Sequence, residues 1–252
     1  MDLKLEGRTC IVTGASSGIG RGIVRVLAHE GVRLAIAGRD AMALESLKRE
    51  IIELDSCEAI ICIGDVATEV GVQQVCTQAQ QGLGRINMII NNAGGSRPMT
   101  DADGEEAWNE AFALNFSAAR RFTGLLLPDM LTAGWGRIVN VTGALISAQI
   151  NAAAPAKAAL HSWSRGLAAE LAPRGITVNC VAPGRINSRQ ILEKLHPTPE
   201  SRRKFIEQNI PMGRFGDPED IANVVAFLLS PLCNFVTGAS VPVDGGQVRL
   251  AF

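Results

Sequence analysis

Thr13-Gly14-Ala15-Ser16-Ser17-Gly18-Ile19-Gly20 is the stretch that decides the fold of this chain. It follows an apolar run over residues 9–12 and opens a pattern in which Ile23, Val24, Val26 and Leu27 recur at helical spacing. A strand that turns through glycines into a helix start makes a site for an anionic phosphate. The glycines allow a tight turn and close backbone approach, and the helix N-terminus offers unpaired N–H groups and the positive end of its dipole. The spacing is G-x3-G-x-G rather than the common G-x-G-x-x-G. Its position between a strand and a helix is what points to a bound dinucleotide.

Outward from this turn, short apolar runs alternate with longer helical patterns. Strands are expected near 9–12, 33–37, 59–63, 88–91, 137–141, 177–181 and 240–243, and helices near 18–30, 40–54, 68–81, 104–133, 152–172 and 217–229. Near-continuous apolar strands separated by helices predict a parallel sheet covered on both faces. The expected fold is α/β: a single-domain, Rossmann-type, doubly wound fold with a mostly seven-stranded parallel sheet between helices. No linker, repeat or low-complexity tract divides residues 1–252.

Residues 184–216 break the rhythm. Pro197, Pro199 and Pro211 interrupt a mixed helical stretch too long for an idle connection. In doubly wound sheets, ligands bind beyond the C-terminal strand ends, where this segment emerges, so it reads as a substrate-loop insertion. Arg185, Arg189, Lys194, Arg202, Arg203 and Lys204 outnumber Glu193, Glu200 and Glu207 within it. That excess suits either a solvated charged face or an acidic substrate.

Composition narrows the partners. Twenty-four basic and 25 acidic side chains leave a net charge of −1, which argues against nucleic acid and anionic membrane surfaces. No apolar run approaches the roughly 18 residues of a membrane helix. The N-terminus, with Asp2 and Glu6, does not read as a signal peptide. The six cysteines, at 10, 57, 62, 76, 180 and 233, lack C-x-x-C spacing and are expected as buried, reduced thiols of a cytoplasmic protein. Three histidines without clustered carboxylates argue against a metal site.

Six signatures stand in order along the chain: TGASSGIG at 13–20, GDV at 64–66, NNAG at 91–94, Asn115 in a long helical stretch, PG at 183–184 and VDGG at 243–246. With them the chain resembles the short-chain dehydrogenase/reductase family over essentially its whole length, closest in look to the 3-oxoacyl-carrier-protein reductase-like branch. The resemblance implies that Gly14, Ser16, Gly18, Ile19 and Gly20 line a pyrophosphate. Asp65 and Val66 would meet the adenine, and Asn92, Ala93 and Gly94 the nucleotide ribose. Pro183, Gly184, Ile186 and Ser188 would orient the nicotinamide carboxamide, with Ser188 where a Thr is usual.

Cofactor choice turns on the end of the second strand. A carboxylate there binds the ribose 2′-OH of NAD and repels a 2′-phosphate. This chain has Gly38 followed by Arg39, whose guanidinium can pair bidentately with a phosphate, although Asp40 lies beside it. Ser17 stands where some NADP-dependent members carry a second basic residue. NADP(H) is favoured over NAD(H).

The family's chemistry uses a Tyr four residues before a Lys, an upstream Ser, and an Asn on the long helix. Asn115 and Lys157 are in place. The Tyr position is Ala153, and the chain contains no tyrosine. Gly143, preceded by Thr142, stands where the Ser would be, and the stretch from there to Lys157 is a few residues shorter than the family pattern. A positioned general acid is worth typically 10²–10⁴-fold. Its loss leaves three routes: a slow reductase of ordinary ketones, an acceptor that scarcely needs protonation, or a surrogate acid, either a Lys157 whose pKa burial has lowered or a water held by Asn151 or Thr142. Lys157 can also anchor the cofactor without taking part in chemistry. His161, one turn beyond Lys157, reads as a packed or interface histidine.

The expected function is an NADP-dependent oxidoreductase with an atypical active site, moving a hydride to or from a small carbonyl, imine or quinone-like substrate. The alternative is a catalytically silent dinucleotide-binding member acting as a sensor or partner subunit. The resemblance also implies a homotetramer or homodimer, with helices 104–133 and 152–172 forming one interface. Ala156, Ala158, Ala159, Ala168 and Ala169 would permit close helix approach there, and the VDGG segment with Phe252 would form a second interface.

Overall fold

The computed structural model describes residues 1–53, 58–100, 104–143 and 150–247. Seven strands among them form one parallel sheet: β1 (Thr9–Thr13), β2 (Arg33–Gly38), β3 (Ala59–Ile63), β4 (Met88–Asn91), β5 (Gly136–Val141), β6 (Ile176–Pro183) and β7 (Ser240–Val243). Their order is β3-β2-β1-β4-β5-β6-β7. The chain winds outward from β1 in one direction and then from β4 in the other. The switch point therefore lies between the C-terminal ends of β1 and β4, where doubly wound sheets bind ligands.

The inner strands are apolar on both faces because both faces are covered, whereas the edge strand β7 leaves Ser240 and Pro242 exposed. Along β1, Cys10 and Val12 pack with α1 (Gly18–His29) and α8 (Pro218–Leu229), through Ile23, Val24, Leu27, Ile221 and Val225. Ile11 points the other way, to the layer of α3 (Glu69–Leu83), α5 (Ala118–Ala133) and α6 (Ala153–Leu171), through Val72, Val75, Phe122, Leu126 and Leu171. Leu34 and Ile36 of β2 join the first layer, Ala35 and Ala37 the second. This is the period-two alternation of a strand between two apolar layers. The helix α2 (Ala41–Glu53) completes the first layer with Leu44, Leu47 and Ile51.

Strand positions follow the sequence pattern to within two residues. Two segments differ from expectation. The helix expected over 104–133 is α4 (Glu105–Phe112), then a π-helical turn at Ala113–Ser117, then α5. Residues 184–216 hold a second π-helical turn, Gln190–Leu195, and α7 (Pro199–Asn209), which starts at an N-cap where the Thr198 hydroxyl accepts from the Ser201 N–H. Of the alanines expected at a helix interface, Ala156 and Ala168 are buried inside the protomer. Ala168 packs α6 onto the sheet, which leaves Ala158, Ala159 and Ala169 for any partner.

Cys10, Cys62, Cys76, Cys180 and Cys233 are buried free thiols. Burial pushes Cys62 and Cys76 up to about 12, so neither is a thiolate nucleophile at neutral pH. Cys57 and Phe252 lie outside the described residues. Among the described residues no helix is long and apolar enough to cross a membrane.

Candidate active site

The turn after β1 is held by side chains from two strands. Gly14 has φ +65° and Gly18 φ +53°, the left-handed region that favours glycine. A β-carbon on Gly20 would stand 2.6 Å from Asn92 Nδ2 and would collide with the Gly14 carbonyl. The Asn92 amide donates to the carbonyls of Thr13 (2.9 Å) and Gly14 (3.2 Å). The Thr13 hydroxyl in turn accepts the N–H groups of Asn92 and Ala93, each at 3.0 Å. Thr13, buried at the strand end, is thus the pin that joins the 14–20 turn to the 91–94 turn across the switch point.

The helix start above this turn is unspent. The Ser17 side chain makes no capping bond, and α1 has no acidic residue in its first turn. Its N–H groups and positive dipole end stay available to an anion. The segment after β6 approaches from the other side: Ser188 Cβ lies 3.3 Å from where a β-carbon on Gly18 would stand. Pro183 ends β6, Gly184 abuts Asp244 of the VDGG segment, and buried Ile186 bridges to Gly216. Turn, helix start and covering loop together fit a pyrophosphate flanked by a nucleotide at each end.

At the outer end, Val66 is buried while Arg39 and Asp65 are open. Asp65 has two partners. One oxygen accepts from the Ala67 N–H at 3.0 Å, and the other lies 3.8 Å from Arg39 Nη1. Asp40 accepts from the Ala43 N–H at 3.0 Å at the start of α2, so its carboxylate is partly engaged. The Arg39 side chain is 76% exposed. Exposed pairs of this kind contribute about 0–1 kcal/mol, so Arg39 can turn to another anion at little cost.

The inner end gathers three elements. Asn115 sits in the π-helical turn; its Nδ2 donates to the Ala111 carbonyl (2.9 Å) and its Oδ1 accepts from the Gly95 N–H (3.0 Å). Gly94 fills the gap between it and α6: a β-carbon there would stand 2.9 Å from Asn115 Oδ1 and 3.8 Å from Lys157 Cε. Lys157 Nζ donates to the Thr142 carbonyl at 2.6 Å. The lysine is half-buried, and desolvation holds its ammonium down to about 8. Asn115, Gly94 and Lys157 therefore meet in one corner at the end of β4.

The two water-holding candidates face elsewhere. The Thr142 hydroxyl is buried and donates to the Val181 carbonyl at 3.0 Å, so its backbone oxygen, not its side chain, meets Lys157. Asn151 accepts the N–H groups of Arg97 and Ala153, each at 3.0 Å, and donates to Ser96 Oγ at 2.7 Å. It ties the 96–98 segment to the start of α6. Gly143 leaves clearance beside the lysine: a β-carbon there would stand 3.6 Å from Lys157 Nζ. Ala153 is buried.

His161 packs as expected, nearly buried with Nδ1 3.1 Å from Ser240 Oγ. Burial lowers its pKa, so it is neutral at pH 7. Asn91 belongs to the sheet; its amide donates to Asn140 (2.7 Å), whose own amide donates to Ser164 (2.7 Å).

A protein-family model described as Enoyl-(Acyl carrier protein) reductase matches residues 14–247. The chain is 36% identical over 250 residues to a 3-oxoacyl-(acyl-carrier-protein) reductase of Pseudomonas aeruginosa, covering 97% of this chain and 99% of that one. It also superposes on the structure of an L-sorbose reductase from Gluconobacter frateurii complexed with NADPH and L-sorbose. The TM-score is 0.95 and the identity 28%, with 100% of both chains covered. A 7α-hydroxysteroid dehydrogenase complexed with NADH gives a TM-score of 0.90 at 32% identity, covering 99% of this chain and 97% of that one. The chain belongs to the short-chain dehydrogenase/reductase family and is an oxidoreductase of that family.

Proposed function

We propose that the protein is an NADP(H)-dependent oxidoreductase with an atypical active site, acting on a small carbonyl, imine or quinone-like substrate. Gly14, Ser16, Ser17, Gly18, Ile19 and Gly20 hold the pyrophosphate, and Asp65 and Val66 flank the adenine. Arg39 turns from Asp65 to the 2′-phosphate. Asn92, Ala93, Gly94 and Lys157 face the inner ribose, and Pro183, Gly184, Ile186 and Ser188 position the nicotinamide. The bound cofactor supplies or takes the hydride.

The observation that carries this reading is the Lys157 corner. An ammonium held down to about 8 is a far better acid at neutral pH than an ordinary lysine. It faces the clearance left by Gly143, with Ala153 on the same helix and no tyrosine in the chain. Lys157 gives the proton from Nζ to the developing oxyanion or amine, and Asn115 fixes the π-helical turn that shapes the corner. Both hydroxyls on which the family relies are missing, so acceptors that need little protonation react best. The same absence favours, as a second reading, a silent dinucleotide-binding sensor or partner subunit. The protein works as a homotetramer or homodimer. Exposed Phe227 on α8 and Leu232 and Phe235 in the turn after it are the apolar surface that supports this.

The test is titration with NADPH and NADH, read by energy transfer from Trp108, Trp135 and Trp163 to the nicotinamide. Micromolar NADPH binding, at least tenfold tighter than NADH and lost in Arg39→Ala, is the expected result. Turnover of iminium or quinone acceptors over plain ketones then separates the enzyme from the sensor. No binding of either cofactor overturns both readings.

A further inference from the structure

The basic excess in residues 184–216 resolves into two kinds of side chain. Arg189 pairs with Glu193 at 2.9 Å on an exposed turn, as a solvated face would. Arg185 does not. It follows Gly184 directly, and its backbone is locked on the 214–217 segment: the Gly216 N–H donates to its carbonyl at 2.9 Å, and Ile186 bridges to Gly216. Its guanidinium lies over the Phe205 ring of α7, 5.0 Å from the centroid. The His196 ring leans on the same phenylalanine (4.6 Å) and on Phe215 (5.5 Å). Arg185 and Arg202 both act on His196 as positive charges, and with burial they keep it neutral at pH 7.

This cluster is unfinished. Arg185 Nε and His196 Nε2 are shut off from solvent and have no hydrogen-bond partner among the described residues. No carboxylate among those residues lies within ion-pair distance of Arg185, whereas Arg21 and Arg25 share Glu50, Arg33 holds Glu58, Arg97 holds Glu110 and Arg214 holds Asp220. A partly desolvated guanidinium without a counter-ion is costly, and an unsatisfied buried donor adds to that cost. A planar carboxylate or a phosphate answers both, because it accepts bidentately from the guanidinium fork while the imidazole donates from the side.

We infer that Arg185 and His196, walled by Phe205 and Phe215, form a subsite for an anionic group, carboxylate or phosphate, on the substrate. This rests on the oxidoreductase reading above, since Arg185 lies between Gly184 and Ile186 of the nicotinamide-positioning segment. Arg185 binds the anion and His196 orients it.

The experiment follows the ring protons of the three histidines, 29, 161 and 196, by NMR, with the His196 signal assigned by its loss in His196→Gln. Benzoate and phenyl phosphate are titrated against neutral benzamide, with and without saturating NADPH. The expected result is that at least one anion shifts the His196 signal, that benzamide does not, and that Arg185→Met weakens the anion at least tenfold more than it weakens NADPH. Benzoate shifting His196 without phenyl phosphate assigns a carboxylate; the reverse assigns a phosphate. Equal binding of benzoate and benzamide, or anion binding that survives Arg185→Met, overturns the inference. Anion binding without NADPH binding would leave the subsite standing and sink the oxidoreductase reading instead.

Discussion

Replacing Lys157 by Met tests whether the site retains a destabilising charge. The ammonium falls from its ordinary 10.5 to about 8 through burial. At about 1.36 kcal/mol per pK unit this is about 3 kcal/mol of cost to the folded state, trimmed to about 2–3 kcal/mol because the side chain is only half-buried. Lys157→Met removes that cost, and it also removes the 2.6 Å bond to the Thr142 carbonyl, worth about 1 kcal/mol. The variant should therefore be about 1–2 kcal/mol more stable than the parent at pH 7. The direction with pH is fixed. Below about 8, folded and unfolded chains both carry the proton, and the full cost is present. Between about 8 and 10.5 the folded chain has released the proton that the unfolded chain still binds, so the parent gains stability relative to the variant. By pH 10 the advantage of the variant should be gone. Urea unfolding of both chains at pH 7 and pH 10 measures this, and the difference between chains cancels the shared ionisation of the buried thiols. A variant less stable than the parent by the same amount at both pH values would refute the reasoning.

Two further predictions concern the frame around the site. Thr13→Val removes the acceptor for the Asn92 and Ala93 N–H groups and should cost about 2 kcal/mol, with a matching loss of NADPH affinity. A shift in urea midpoint worth less than about 0.5 kcal/mol would deny Thr13 the role of pin. Gly94→Ala places a methyl 2.9 Å from Asn115 Oδ1 and should destabilise by about 1–3 kcal/mol while slowing turnover, measured by melting and by initial rates; unchanged values of both would refute the close approach.

Most of the strands were legible because each is an apolar run bounded by a helical pattern; β7, with Ser240 and Pro242 exposed, was legible from its place before the VDGG signature. That alternation needs no long-range information. The glycine turn was legible for the same local reason. The π-helical turn at 113–117 was not, because its apolar spacing does not differ from that of the α-helices it joins. What shapes it is the Asn115 side chain, which bonds to Ala111 four residues back and to Gly95 twenty residues away. Asn151 was singled out near the site, but its role depends on Arg97, 54 residues distant, and no local spacing encodes that contact. Thr13 stood inside the quoted stretch without a role, since its partners Asn92 and Ala93 reach it only across the sheet. The signal that could have found it is a threonine at the last position of a strand, directly before a glycine turn. Arg185 was counted only as part of a charge excess. Its place immediately after Pro183-Gly184 was the hint that it is not one of the solvated set.

The departures from the family pattern are consistent with one another physically. Removing the tyrosine alone would leave a hydroxyl at position 143 and a loop of the usual length. Here Gly143 replaces the hydroxyl as well, and the segment to Lys157 is shorter. On the proposed reading, the corner keeps the positive charge of Lys157 without a hydroxyl at position 143 or 153. The features proposed to meet the cofactor are all present: the glycine turn, the unspent helix start, the Thr13 pin and the exposed Arg39. If Lys157, its ammonium held down to about 8, is the proton donor proposed for this corner, it favours substrates whose reacting atom leaves as an amine or an already acidic hydroxyl. Such atoms need a weaker push from the protein than an alkoxide does. The chemistry proposed for the site and the residues lost from it thus point in the same direction.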